Sequence, residues 1–200
     1  LTNTSVTFGT GKFGDAAIFN EANTDVVYNY NLSTTSAWIS NSDANTSTGF
    51  SMCCWFKFKN IPSPADASRL LWIRPNGHRN IDILYQKISD IGLQIVFWDG
   101  ASAYAPSYAF TPTLDQWYHM AYVQQATTGD FKLYLDGSEI MDDTCTFNGS
   151  AGTELNCIGN NGTALTPTML GRIDEVIIYE RPLTAAEVLI IATGSCPLVT

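Results

Sequence analysis

The stretch "WYHMAYVQQATTGDFKLYLDGSEIM" (117–141) decides the fold class. It contains three runs rich in aromatic and aliphatic residues, separated by "TTGD" (127–130) and "DG" (136–137). Runs of this kind between Gly- and Asp-containing turns are typical of β-hairpins. The Asp-Gly pair favours a type I′ turn, in which both central residues have positive φ. The stretch therefore predicts a three-stranded antiparallel meander.

Similar strand signals recur along the rest of the chain, with short turn signals between them. They are DAAIF (15–19), DVVYNY (25–30), FSMCCWFKF (50–58), RLLWIR (69–74), IDILYQ (81–86), LQIVFW (93–98) and RIDEVIIY (172–179). Because no helix is predicted between successive strands, the chain favours an antiparallel sandwich or barrel over an α/β enzyme fold. One short helix is predicted after the last strand, where Thr184 and Glu187 form a capping box and Gly194 ends the helix.

Composition restricts the kind of protein more than it restricts the ligand. The 200 residues suit one domain, predicted over 1–200. Only 14% of the residues are charged, so the surface is mostly Asn, Ser, Thr and Gly, as is common in extracellular or particle-exposed β proteins. The net charge of −9 argues against nucleic acid or an anionic membrane as a partner. The acidity is compatible with cation binding and with simple solubility, and no apolar run reaches the length of a membrane span.

The five cysteines form an odd count, so they cannot all pair within the chain. Cys145 and Cys157 bracket a turn-rich stretch and are the candidates for a disulfide. Cys53 and Cys54 are neighbours in a predicted strand and point to opposite faces, as small core or interface residues. A zinc site is not expected, because the chain has no CxxC pair and only two histidines.

Five motifs occur in a characteristic order along the chain. They are GKFGDAAIFN (11–20), FSMCCWFKF (50–58), WYHMAYV (117–123), FKLYLDG (131–137) and GRIDEVIIYERPLTAAEV (171–188). In this succession the chain resembles the concanavalin A-like lectin/glucanase superfamily, specifically its laminin G-like jelly-roll branch, over about residues 8–190. The resemblance implies an all-β, two-sheet antiparallel jelly-roll sandwich with one short C-terminal helix. It also implies that His119 is a packed, structural histidine.

The acidic pair Asp174-Glu175 opens an otherwise apolar strand. With regular alternation, Asp174 shares a face with Val176 and Ile178, while Glu175 projects from the other face. A carboxylate among aliphatic side chains needs a partner. That partner could be the Arg172 side chain, backbone N–H groups, or a hard cation such as Ca²⁺.

The resemblance favours calcium among these alternatives. Many members of the superfamily hold a structural calcium where the first and last strands meet, with an Asp in the position of Asp174. Ligands from the amino-terminal strand would then be Asn20 or Glu21. We therefore expect a structural Ca²⁺ with Asp174, Asn20 and Glu21 as the candidate ligands.

Enzymatic activity is not expected. Glucanases of this superfamily place carboxylates along one strand in a Glu-x-Asp-x-Glu pattern, so that alternate side chains face one cleft as acid and nucleophile. The chain contains no such triplet, and its adjacent acids diverge on a strand. No G-x-S-x-G motif occurs either.

Glycan binding is the better-supported activity. Binding sites combine aromatic rings with a few polar groups that fix the orientation of the ligand. The stretch "FWDGASAYAPSYAFTPT" (97–113) and the turn "WIRPNGHRN" (72–80) supply such residues. The candidates are Trp98, Asp99, Tyr104, Tyr108, Arg74 and Asn76. The alternative for Trp98 and the two tyrosines is packing on a sheet.

Together these features predict a non-catalytic recognition or adhesion module on an extracellular protein or a virus particle. Its partner would be a glycan or a neighbouring protein subunit. The alternative is a structural decoration or fibre protein of a phage capsid without a sugar ligand. A degenerate glycanase is the third hypothesis.

Overall fold

A computed structural model of the chain describes residues 2–4, 6–20, 26–29, 48–61, 67–74, 80–86, 92–98, 100–148, 155–160 and 169–194. These residues form strands and one short helix. The strands are β1 (Thr2–Thr4), β2 (Thr7–Thr10), β3 (Asp15–Asn20), β4 (Val26–Asn29), β5 (Phe50–Phe58), β6 (Ala67–Arg74), β7 (Asn80–Gln86), β8 (Gly92–Trp98), β9 (Ala103–Tyr104), β10 (Ser107–Tyr108), β11 (Tyr118–Gln124), β12 (Asp130–Leu135), β13 (Ser138–Thr144), β14 (Leu155–Ile158) and β15 (Leu170–Tyr179). The helix is α1 (Ala185–Ala192).

The strands pair into two antiparallel sheets. Sheet A has the order β1-β4-β14-β6-β7-β8-β10, and β9 also pairs with β8. Sheet B has the order β13-β12-β11-β5-β15-β3-β2. The predicted fold class, an all-β sandwich of two antiparallel sheets with one short C-terminal helix, is confirmed.

Alternation along the central strands builds the core between the sheets. On β5 the inward side chains are Phe50, Met52, Cys54, Phe56 and Phe58, all of which are buried. They pack against inward residues of sheet A such as Ile83, Ile95 and Phe97. Cys53 lies on the opposite face of β5, as predicted from its neighbouring position.

The meander predicted over 117–141 consists of β11, β12 and β13, which pair in sequence order. The turn between β12 and β13 has Asp136 at φ 49° and Gly137 at φ 81°, as a type I′ turn requires. A Cβ atom at Gly137 would lie 2.8 Å from Leu189 Cδ1, so the turn also packs closely against α1. The sequence thus specifies both the hairpin and its contact with the helix.

Helix α1 packs on the outer face of sheet B, against β11 and β13. Val188 and Ile191 are buried against Ala121 and Val123 of β11. The capping box is formed as predicted, since Glu187 N donates to Thr184 Oγ1 at 3.3 Å and Thr184 N donates to Glu187 Oε2 at 2.8 Å. Among the described residues, no helix is long and apolar enough to cross a membrane.

Strand β15 departs from regular alternation at Glu175. Its register against β5 shifts between Asp174 and Ile177, and Glu175 has φ 48°, which is uncommon for a residue with a side chain. The bulge adds one residue, so Val176 and Ile178 pack against the core, whereas Asp174 lies opposite Trp55 on the outer face. The prediction that Asp174 shares a face with Val176 and Ile178 is therefore wrong, because the alternation does not continue across a bulge.

Candidate functional site

The outer face of sheet A carries aromatic and charged side chains on β6, β7 and β8. We call Arg69, Trp72, Asp82 and Trp98 the aromatic face. Trp72 pairs with Asp82, and Trp98 pairs with Asn80. Ile81 and Ile83 alternate with Asp82 along β7 and point into the core. The side chains of the aromatic face therefore point outward.

The two tryptophans provide separate ring surfaces on the aromatic face. Trp98 ends β8 with 39% of its surface exposed, and Trp72 is half-buried. They are two strands apart, about 10 Å, and two residues apart along the strands, about 7 Å. An exposed indole next to a half-buried one provides apolar surface for a ligand that spans several ångströms.

An ion pair between β6 and β7 lies beside Trp72. Arg69 Nε is 2.9 Å from Asp82 Oδ2, and the guanidinium carbon is 5.8 Å from the centroid of the Trp72 ring. Burial raises the pKa of Asp82 to about 6, while the charge of Arg69 acts in the opposite direction. A fixed guanidinium and carboxylate can donate to and accept from hydroxyl groups in a defined orientation.

The other predicted ligand residues on this end of sheet A are only partly described. Arg74 is the last residue of β6, and its backbone pairs with Leu155 of β14. In the ladder between β6 and β7, Ile73 pairs with Ile81. Asn80, the residue before Ile81, pairs with Trp98 of β8, so the Arg74 backbone lies at the same end of the face as Trp98. The side chain of Arg74 lies outside the described residues, and so do Asn76 and Asp99.

The two tyrosines do not join Trp98. Tyr104 stacks on Phe97 with 6.2 Å between ring centroids, and its hydroxyl donates to Asp143 Oδ2. That hydrogen bond, together with burial, raises the pKa of Tyr104 to about 12. Tyr108 is 37% exposed but pairs with Leu93, five residues or about 16 Å along β8 from Trp98. Tyr104 therefore packs against the sheet, which is the alternative to ligand binding that the sequence left open.

Asp174 connects strand β15 to the turn at residues 11–14 through hydrogen bonds. Its Oδ2 accepts hydrogen bonds from Lys12 N at 2.7 Å and Phe13 N at 3.0 Å, and its Oδ1 accepts from Glu175 N at 2.9 Å. A Cβ atom at Gly11 would lie 2.3 Å from Asp174 Oδ2, so only glycine lets the turn approach this closely. Of the alternatives for Asp174, the structure shows the backbone N–H groups as its partners.

Asp174 and Asn20, two of the three residues proposed for the calcium site, lie apart in the structure. Asn20 pairs with Leu170, which is four residues or about 13 Å along β15 from Asp174. Calcium ligands lie 2.3–2.6 Å from the ion, so Asp174 and Asn20 cannot share one. Glu21 lies outside the described residues, and among the described residues no group of three or more His, Cys, Asp or Glu side chains could hold a metal. A structural Ca²⁺ stays a prediction, without a ligand set on the described residues.

The candidate disulfide is not formed in the structure. Cys145 packs in the core between the sheets, whereas Cys157 pairs with Trp72, whose side chain points out of sheet A. The two thiols are therefore on opposite sides of sheet A, and no disulfide joins them. The spacing of the two cysteines in the sequence could not show this, because it carries no information on which face each side chain occupies.

A cavity of about 230 Å³ that the sequence did not suggest lies beside the end of α1, lined among others by Trp55, His119 and Glu175. His119 is buried, as the resemblance implies, with 5.3 Å between its ring centroid and that of Trp55. Its two ring nitrogens have no hydrogen-bond partner among the described residues. Burial lowers the pKa of His119 to about 4, so the imidazole is neutral at pH 7. Strand pairing creates this site, since Trp55 and His119 are distant in sequence and adjacent in register.

Comparison with known proteins confirms the superfamily that the motifs suggested. The model of the Laminin_G_3 family, described as "Concanavalin A-like lectin/glucanases superfamily", matches residues 31–189. No curated protein matches the chain's sequence.

Several solved structures share the fold. Domain 4 of AbnA, a GH43 extracellular arabinanase from Geobacillus stearothermophilus solved in complex with arabinotriose, is 21% identical with a TM-score of 0.70, over 94% of this chain and 81% of that one. The SAP-like pentraxin of Limulus polyphemus is 18% identical with a TM-score of 0.53, over 75% of this chain and 73% of that one. The binding domain of Paraclostridial Mosquitocidal Protein 1 is 14% identical with a TM-score of 0.71. It is matched over 97% of this chain and 47% of its own length, so this chain spans about half of that domain.

Proposed function

The chain belongs to the Laminin_G_3 family of the concanavalin A-like lectin/glucanase superfamily, and from this premise we propose that it is a non-catalytic recognition module that binds a glycan on the aromatic face. The proposal includes display outside the cell or on a virus particle. Two of the structures that share its fold are domains whose names or bound sugar describe binding, the toxin binding domain and AbnA domain 4 with arabinotriose. They support a binding role for this fold and do not identify the ligand.

The observation that carries the proposal is the exposure of Trp98 on the face that also carries a fixed ion pair. An indole with 39% of its surface in water leaves apolar area exposed that the fold does not use. Arg69 and Asp82, held at 2.9 Å, supply a donor and an acceptor on the same face. Apolar ring surface with a few oriented polar groups is the usual composition of a small-molecule site.

The carboxylates of the described residues support the proposal of a non-catalytic role. Glycoside hydrolysis needs two carboxyl groups about 5–10 Å apart that face one cleft. On the aromatic face, Asp82 is the acid among the described residues, and its carboxylate is engaged by Arg69. A single paired carboxylate serves to orient hydroxyl groups, and it cannot act both as acid and as nucleophile.

A glycan array followed by titration tests the proposal. We expect saturable binding of the wild type to at least one glycan and a loss of affinity of about tenfold or more for Trp98→Ala. Burial of a large apolar side chain is worth about 1.5–3 kcal/mol, and about 1.4 kcal/mol corresponds to tenfold in affinity. Leu114→Ala removes another exposed apolar side chain, 46% exposed, away from this face, and should bind like the wild type. Absence of saturable binding, or equal binding by Trp98→Ala, would overturn the proposal.

A neighbouring protein subunit is the second candidate partner. Leu189 and Ile190 of α1 are 50% and 41% exposed, and Phe13 lies near the end of the same helix. Exposed apolar residues on a helix are typical of protein contacts when they are contiguous. Mass photometry distinguishes the two candidates, because a structural subunit of a shell or fibre assembles with concentration and shows no saturable sugar binding.

A further inference from the structure

The outer face of sheet B contains a second cavity, lined by residues of β3, β5 and β15 and not by α1. Its volume is about 160 Å³, and its lining includes Lys57, Lys59, Arg172, Asn20 and Asp115. A single water needs only about 10–15 Å³ of such space, so the cavity can hold an ion with part of its hydration shell or a larger polar group. We call Lys57, Lys59 and Arg172 the cationic cluster.

Two members of the cationic cluster occupy directly opposite positions on neighbouring strands. Arg172 of β15 pairs with Lys57 of β5 in the antiparallel register, and both point to the outer face. Like charges directly opposite each other across a strand pair destabilise a sheet. Lys59 is close to the same place, because its N–H donates to Leu170 O at 3.0 Å.

No carboxylate of the described residues forms an ion pair with this cluster. The chain has 19 acidic residues and only ten lysines and arginines, so acidic partners are plentiful. Elsewhere in the described chain, Arg69, Lys132 and Arg181 each have a carboxylate within 4 Å. Across the same described residues, Lys57, Lys59 and Arg172 form no such ion pair, although Asp115 lines the same cavity.

Local contacts fix the charged groups of Arg172 and Lys57 on opposite sides of the β5–β15 strand pair. Arg172 Nη1 donates to Thr10 O, and Lys57 Nζ lies 5.2 Å from the centroid of the Trp117 ring. Asp115 is fixed by its own N–H, which donates to Phe58 O at 2.8 Å, and has φ 59°. These contacts position Lys57 and Arg172 without a carboxylate partner among the described residues.

We propose that the cavity binds an oxyanion, a carboxylate or a sulfate, such as that of an acidic sugar. Guanidinium and ammonium groups form charge-assisted hydrogen bonds to such anions, and the planar guanidinium adds directional recognition. A bound anion places negative charge beside Arg172 and Lys57, which are directly opposite each other on β15 and β5. This site is on sheet B and the aromatic face is on sheet A. An experiment that refutes one site therefore leaves the other untested.

An NMR titration at constant ionic strength tests the proposal with three probes. Sodium sulfate and sodium glucuronate should each shift the backbone resonances of 57, 59 and 172 saturably, whereas glucose should not. Glucuronate binding more tightly than sulfate supports a sugar acid as the source, and equal binding supports a free anion. The proposal is overturned if neither anion shifts these resonances, or if glucose shifts them equally.

Matched charge variants separate a site from general attraction. The double variant Lys57→Gln, Lys59→Gln should bind glucuronate at least about tenfold more weakly, since it loses two charge-assisted contacts. Lys132→Gln removes a cation of the same sheet that is already paired with Glu139 and Asp142, and should bind like the wild type. Asp115→Asn should bind more tightly, because asparagine tolerates positive φ and removes the one carboxylate of the lining. An equal loss with Lys132→Gln, or no change with the double variant, refutes the site.

Discussion

Replacing Asp174 with asparagine removes one carboxylate oxygen from the contact between β15 and the turn at residues 11–14. In the wild type the two oxygens accept three backbone N–H groups, those of Lys12, Phe13 and Glu175. The amide of asparagine has one acceptor oxygen and one donor group. Whichever way it is oriented, at least one N–H group of Lys12, Phe13 or Glu175 loses its acceptor.

The magnitude follows from these contacts. A hydrogen bond to a charged group contributes about 1.5–3 kcal/mol, a neutral one about 0.5–1.5 kcal/mol, and an orphaned buried donor costs about 1–3 kcal/mol. Weakening two bonds and losing the third therefore lowers the free energy of unfolding by about 3 kcal/mol for Asp174→Asn. In a chain of this size that corresponds to a melting temperature about 8 °C lower.

Thermal unfolding of Asp174→Asn and of Asp15→Asn, each with CaCl₂ and with EGTA, is the assay. Asp15 is exposed at the start of β3, so Asp15→Asn makes the same charge change near the turn and should melt within about 1–2 °C of the wild type. We expect the loss in Asp174→Asn to be equal in calcium and in EGTA. A loss below about 2 °C, or a calcium-dependent difference that only the wild type shows, would refute the hydrogen-bonded turn and restore Asp174 as a calcium ligand.

Two further predictions concern stability. Burial lowers the pKa of His119 to about 4 in the folded chain, whereas a histidine of the unfolded chain has a pKa of about 6.5. The unfolded chain therefore binds the proton more readily, and the free energy of unfolding decreases as the pH falls below about 6.5. Between pH 7 and pH 5 the loss is about 2 kcal/mol, and His119→Phe should remove that slope from the free energy of unfolding in urea; parallel slopes would contradict it. Thr184→Ala should cost about 1 kcal/mol through the lost cap, seen as a lower urea midpoint with an unchanged m-value, and an unchanged midpoint would show that the cap is dispensable.

The long strands could be predicted from local sequence because each carries a continuous run of apolar and aromatic residues. Strand β5 has the predicted bounds, 50–58. Strands β1 (TNT) and β14 (LNCI) escaped prediction, since each is too short to show a period. Such short strands form because the strands beside them present backbone N–H and C=O groups for pairing. Strand β14, for example, pairs with β4 on one side and β6 on the other.

The candidate sites were less predictable for a different physical reason. Trp98 could be found because a tryptophan at a strand end before a Gly-containing turn is conspicuous by itself. Arg69 with Asp82, and Lys57 with Arg172, are pairs made by strand register, and a single sequence does not fix register between distant strands. The bulge at Glu175 had no sequence signal at all, because the positive φ falls on a glutamate and not on a glycine.

Two charged features of sheet B conflict with local rules, and the structure treats them differently. Asp174 in an apolar strand is such a conflict in the sequence, but the bulge turns it outward and three N–H groups satisfy it. Lys57 opposite Arg172 is a conflict in the folded chain, and no carboxylate among the described residues resolves it by an ion pair. Natural sequences retain unresolved conflicts mainly where function requires them. On this reasoning Asp174 belongs to the scaffold, and the cationic cluster is the feature of sheet B whose binding partner should be sought.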